Sequence, residues 1–87
     1  MFDIGEKELL VRVRKYKLYR ERGRLVIDIH EVMAGESPHR FTAIPRVSVP
    51  RGGEEYFGVG DTELAALKDC LRRIKNVPIE VIAPPPW

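Results

Sequence analysis

The sequence is poor in the residues that most often announce a chemistry. Cys70 is the only cysteine in 87 residues, which excludes an intramolecular disulfide and a multi-cysteine zinc site. His30 and His39 are the only imidazoles, and no His-x-x-x-His or Cys-His spacing joins them to further ligands. No metal and no small-molecule cofactor is therefore expected. No apolar run approaches the roughly 18 residues of a membrane span, and the first residues hold no apolar signal-peptide core. The expected location is the cytoplasm, with no membrane partner. Nor is there a large excess of one charge: 15 Lys and Arg face 13 Asp and Glu, a net charge of +2. Taken alone, that is too small to imply a nucleic-acid partner. No segment repeats, and no linker is long enough to separate domains.

What is present fits one small globular domain. The chain is 44% hydrophobic and 32% charged, too aliphatic for a wholly disordered chain and too short for two cores. Residues 1–82 are expected to form that domain, and residues 83–87 a proline-rich tail. The charge is unevenly spread. Residues 1–24 hold eight basic groups against four acidic ones, which leaves the rest of the chain slightly acidic. A basic stretch on a nearly neutral domain reads either as an electrostatic footprint or as an edge strand whose Lys and Arg discourage aggregation.

Leu9 to Arg20 reads as a long strand. Leu9, Val11 and Val13 alternate, and so do Tyr16 and Leu18, but the two sets are out of phase. Either a β-bulge near Arg14–Lys15 brings both to one face, or the buried face changes along the strand. Glu21-Arg22-Gly23 is a short turn. Arg24 to Met33 is the clearest strand, with Leu25, Ile27, Ile29 and Met33 on one face and Val26, Asp28, His30 and Val32 on the other. After a turn at Ala34–Pro38, His39 to Val49 alternates again, with Phe41, Ala43, Val47 and Val49 inward. Pro45 lacks an amide donor, so this strand is an edge there or is bulged. Glu54 to Val59 makes a short fourth strand, with Phe57 and Val59 inward. A helix opens at Gly60-Asp61-Thr62-Glu63, where Asp61 or Thr62 caps the free amides. Leu64, Leu67, Leu71 and Ile74 form its apolar stripe. Arg72, Arg73 and Lys75 suit the negative end of its dipole, and Asn76 and Pro78 stop it. Ile79 to Ile82 is long enough for a short final strand.

These elements predict an α+β fold: a two-layer, four-stranded antiparallel meander with one C-terminal helix packed on one face, in the order β-β-β-β-α with an optional final strand. One helix cannot cover both faces. Its stripe is expected on Ile27, Ile29, Phe41, Val47 and Phe57. The uncovered face is the candidate binding face, presenting Arg12, Arg14, Val26, His30, Arg40, Ile44, Arg46 and Tyr56. Such a mixture suits a solvated sheet or an interface with another protein or a second copy. It also suits a nucleic acid held by Arg12, Arg14, Lys15, Lys17 and Arg20, with a tyrosine as stacking platform. Asp28, Glu31 and Glu55 weigh against phosphate.

The remaining motifs point to structure more than to chemistry. Gly58-Val59-Gly60 precedes a helix, as phosphate loops do, but no lysine stands next to Ser or Thr, and Asp61 occupies the place of the anion. A tight strand-to-helix junction is the simpler reading. Cys70, beside the helix stripe, is expected to be a small buried hydrophobe. Mid-helix, it has neither a base nor a thiolate-stabilising charge. No Ser-His-Asp arrangement is recognisable, so no enzyme is expected. Pro84-Pro85-Pro86-Trp87 suits a polyproline ligand, an edge cover or a disordered end.

Phe41-Thr42-Ala43-Ile44-Pro45, then Tyr56-Phe57-Gly58-Val59-Gly60-Asp61-Thr62, then Ala65-Ala66-Leu67, with Val77-Pro78-Ile79 after the helix, resemble the pattern of HicB-like domains over about residues 40–81. That pattern is a strand ending in proline, a second strand, a Gly-Asp-Thr helix opening and an alanine-rich first turn. The resemblance implies a small sheet with a packed helix, related to double-stranded RNA-binding folds. It also implies an antitoxin-type protein partner and oligomerisation. The two N-terminal strands have no counterpart in the pattern, and the glycine after the strand proline is displaced to Gly52.

The sequence as a whole predicts a non-catalytic binding module. It acts through the open face or a strand edge on a protein partner or on a second copy of itself. The alternative is a nucleic-acid-binding domain using the basic first strand.

Overall fold

The structure, a computed structural model, describes residues 2–46 and 54–82. Strands β1 (Leu10–Arg20), β2 (Gly23–Ala34), β3 (Phe41–Pro45) and β4 (Gly58–Gly60) form one antiparallel sheet in the order β1-β2-β3-β4. A 3-10 turn at Glu54–Tyr56 leads into β4, and helices α1 (Glu63–Ile74) and α2 (Ile79–Ile82) follow. This is the expected α+β meander with one main C-terminal helix. The two-residue Glu21-Arg22 turn joins the longest strands and closes where Arg20 pairs with Gly23, whose φ of 152° favours glycine.

The period of two along β2 and β3 buries Leu25, Ile27, Ile29, Phe41 and Ala43. Ala66, Cys70 and Ile74 of α1 and Ile82 of α2 close the core from the other layer. Thr62 starts α1 by accepting the Ala65 amide on its side chain at 3.0 Å. The helix stripe is rotated from the expected one: Leu64 is 59% exposed, while Leu67 and Leu71 only flank the buried line. The cause lies in β4. A Cβ on Gly58 would stand 2.2 Å from the Ala66 carbonyl oxygen and 2.3 Å from the Cys70 amide nitrogen. Strand and helix are too near for leucine between them, so the small side chains of Ala66 and Cys70 face the sheet.

Several expectations are corrected in detail. β4 is shorter than Glu54–Val59 and one residue out of phase: Gly58 is buried, and Val59 stands opposite Thr42 on the other face. Ile79–Ile82 is a helical turn and not a final strand, because the Val81 and Ile82 amides bond back to the Pro78 carbonyl. β1 has no bulge at Arg14–Lys15; its one irregularity falls between Leu10 and Val11. Its two apolar sets therefore face opposite sides. Tyr16 and Leu18 lie opposite Ile27 and Leu25 on the helix side, and Val11 and Val13 lie opposite Val32 and His30 on the open side. Pro45 is an edge position, as expected, since β4 runs beside β3 only as far as Ala43. Val47, Val49 and the tail at residues 83–87 lie outside the described residues. α1 packs on β4, β3 and, to a lesser extent, β2, and it meets β1 through side chains such as Arg14, Tyr16 and Arg20.

Candidate binding edge and open face

In an antiparallel ladder each residue turns its N–H and C=O to the same neighbour, and successive residues alternate. The Val32 amide donates to the Arg40 carbonyl, and the Arg46 amide to the Val26 carbonyl, both at 2.9 Å. Even-numbered residues of β2 thus serve β3, and odd-numbered ones serve β1. With Ile27 opposite Tyr16 and Ile29 opposite Arg14, the even-numbered residues of β1 bond to β2. Val11, Val13, Lys15, Lys17 and Tyr19 turn their backbone groups outward, where no partner meets them among the described residues.

At the opposite edge the outward amide of β4 is taken within the chain. The same alternation turns the Val59 amide outward from β4, and Asp69 of α1 accepts it on Oδ2 at 3.0 Å. The backbone bond from Val59, followed by ion pairs with Arg72 at 2.6 Å and Arg73 at 3.3 Å, holds the Asp69 carboxyl below its ordinary 3.8.

On the helix side, the cations of β1 are tied inward. Arg12 bonds to Glu31, and Arg40 reaches the same carboxylate at 3.3 Å. Glu31 is buried, at 7% exposure, and the hydrogen bond from Arg12 keeps its carboxyl below the ordinary 4.5 against the opposing effect of desolvation. Arg14 meets Glu63 at 3.4 Å, and the Tyr16 hydroxyl donates to that carboxylate, which raises the phenol above its ordinary value. Arg20 donates to the carbonyl oxygens of Val77 at 2.6 Å and Ile74 at 2.8 Å. It thereby ties the end of β1 to the last residue of α1 and to the segment that follows it; the Ile74 carbonyl also accepts the Val77 amide at 3.1 Å.

On the open face, rows run across the sheet. Val13 stands beside His30 and Thr42, Lys15 beside Asp28 and Ile44, and Lys17 beside Val26. Val26, His30 and Ile44 are half-buried there and Arg46 is exposed, as expected. Arg46 bonds to Asp28 Oδ2 at 3.0 Å. Asp28 Oδ1 is buried with no partner among the described residues. The other expected members of this face belong elsewhere. Arg12 and Arg14 lie on the helix side, because no bulge re-phases β1. Arg40 turns its guanidinium to Glu31 and over the Phe41 ring, 5.4 Å from its centroid. Tyr56 packs against the core from the 3-10 turn, where desolvation raises its phenol above the ordinary value.

The candidate nucleic-acid set is divided in the same way. Lys15 and Lys17 lie on the open side and form no ion pair among the described residues, while Arg12, Arg14 and Arg20 are engaged. Glu31, Glu63 and Asp69 were missed as partners. Glu31 was visible as the polar intruder in the Leu25-Ile27-Ile29 period; Asp69 carried no such signal.

Cys70 is fully buried, as expected, and burial pushes its thiol up to about 11. Gly58 and Gly60 serve the close approach of β4 to α1, in keeping with a tight junction. Between β1 and α1 an open groove of about 510 Å³ is lined by Leu18, Arg20, Lys68, Leu71, Arg72 and Lys75. Among the described residues, no three His, Cys, Asp or Glu side chains come together as metal ligands, and no helix is long and apolar enough to cross a membrane. Compared with known proteins, the chain matches no family model, no curated protein and no solved structure.

Proposed function

We propose that this domain is a non-catalytic protein-binding module that takes up an extended segment of its partner along the outer edge of β1. One observation carries the reading. The two edges of the sheet are treated differently: Asp69 occupies the outward amide of β4, while five outward-facing residues of β1 have no backbone partner among the described residues. In strand addition, main-chain bonds supply affinity and alternate side chains supply specificity. The open face beside the edge, with Val13, Lys17, Val26 and His30, offers contacts for the side chains of the added strand. The HicB-like resemblance of residues 40–81, which implies a protein partner, supports the same direction. The nucleic-acid alternative has less support, because a nucleic acid has no main-chain ladder with which to use the outward amides of β1.

Selection from a library of displayed random peptides, each about ten residues and long enough to span the edge, tests this reading. Lys15→Pro removes an outward amide and leaves the β1–β2 bonds in place, and Lys15→Gln controls for the lost charge. Enriched peptides are expected to bind Lys15→Pro at least about tenfold more weakly than Lys15→Gln, a difference of about 1.4 kcal/mol. Far-UV circular dichroism should be unchanged. Peptides that bind both variants alike, or the absence of any enrichment, would reject the edge as the site.

A further inference from the structure

The geometry points to the chemistry of the segment that docks on β1: an acidic, extended stretch of another protein, whose acidic positions change phase at its middle. This rests on reading β1 as a docking edge. Leu10–Arg20 carries Arg12, Arg14, Lys15, Lys17 and Arg20, and no acidic residue. The cations are not spread evenly over its two sides. On the open side Val11 and Val13 are followed by Lys15 and Lys17; on the helix side Arg12 and Arg14 are followed by Tyr16 and Leu18. Apolar and basic character exchange sides between Arg14 and Lys15.

A strand laid antiparallel against this edge meets the pattern residue by residue, since directly opposed Cβ atoms stand only about 4.5–5.5 Å apart. Opposite Leu18 back to Val11, the complementary order is apolar, acidic, apolar, acidic, acidic, apolar, acidic, apolar. The two adjacent acids face Lys15 and Arg14 and project to opposite sides of the sheet. A strand with acids on one side only cannot supply both. Arg12 and Arg14 remain half exposed, at 50% and 54%, beside Glu31 and Glu63, so each can meet a second carboxylate. Lys15 and Lys17 have no ion-pair partner among the described residues.

The same charges disfavour a second copy. Pairing β1 with itself doubles the cations and adds no anion, and opposed like charges destabilise a sheet. A nucleic acid answers the charge but has no main-chain ladder with which to use the outward amides.

The probe is the end-capped peptide Val-Glu-Val-Glu-Glu-Val-Glu-Val, titrated into the full chain and followed by amide hydrogen exchange and by affinity. It is expected to protect the amides of Val13, Lys15 and Lys17. It should bind at least about tenfold more tightly than a single-phase Val-Glu repeat, about 1.4 kcal/mol, and at least about a hundredfold more tightly than the lysine counterpart. The double variant Lys15→Glu with Lys17→Glu should weaken the acidic peptide relative to the lysine one. A threonine counterpart that protects the same amides with equal affinity would overturn the acidic chemistry and leave edge docking standing. Failure of every peptide, library-selected ones included, to protect those amides would overturn both. Concentration-dependent protection of β1 in the protein alone would assign the edge to a second copy instead. Single-stranded oligouridine that binds more tightly than the acidic peptide and displaces it would assign the edge to nucleic acid.

Discussion

Gly58 shows how one missing side chain arranges two elements. Its backbone lies so close to α1 that the nearest helix atoms would stand 2.2 Å and 2.3 Å from an added Cβ, and both belong to the helix backbone. Neither can step aside as a flexible side chain would. Gly58→Ala is expected to cost about 3 kcal/mol or more, read as a lower urea midpoint at unchanged slope. Cys70 sits on the far side of that contact. With its thiol pushed up to about 11 by burial, native protein at pH 8 should react with a thiol reagent at least about a hundredfold more slowly than protein unfolded in urea. Asp69 and Glu31 make stability depend on acid. Both carboxyls titrate below their ordinary 3.8 and 4.5 when folded, so protons bind more readily to the unfolded chain. The stability they contribute is complete above those ordinary values and is lost as pH falls through the folded ones. Urea midpoints measured down a pH series should therefore decline below about pH 4.5, and Glu31→Gln should make that decline shallower.

At the scale of elements, β1 is held by polar ties more than by apolar packing. Arg20 fastens its end to the Ile74 carbonyl of α1 and the Val77 carbonyl just beyond it, and Arg20→Ala should lower stability by about 1–2 kcal/mol in urea denaturation, since bonds to a charged donor at a part-exposed site are worth about that much. Alternation along the strand makes a sharper prediction. Tyr16 turns its amide to β2 and Lys15 turns its own outward, so Tyr16→Pro should be less stable than Lys15→Pro by at least about 1 kcal/mol. The order of the elements was legible because β2 and the helix carry clear periods, the former interrupted only at Glu31, and their turns hold glycine or proline in the right places. The phase of β1 was not. Its apolar residues change sides, and assuming one buried face required a bulge that put Arg12 and Arg14 on the wrong side. The leucines of α1 misled for a related reason: periodicity marks an apolar flank, but only the nearness of Gly58 shows that Ala66 and Cys70 occupy its centre. Of the candidate site, Val26, His30, Ile44 and Arg46 were legible from simple alternation in β2 and β3. The availability of the β1 edge was not, since it depends on which backbone groups the neighbouring strands consume.

The molecule as a whole is drawn out, at 43 × 28 × 18 Å with a radius of gyration of 14.0 Å, against about 12 Å expected for a compact chain of this length. The excess fits the length of β1 and β2, which run on past the much shorter β3 and β4. Protection should follow that layout: in native-state hydrogen exchange, the amides of Ile27 and Ile29 are expected among the slowest and those of Val13, Lys15 and Lys17 among the fastest. The unlike rims of the sheet also limit what the molecule can build. The carboxylate of Asp69 acts as a stopper on one flank, taking the amide that an added strand would use there. With docking at β1 as proposed, the domain would end a ribbon instead of lengthening it.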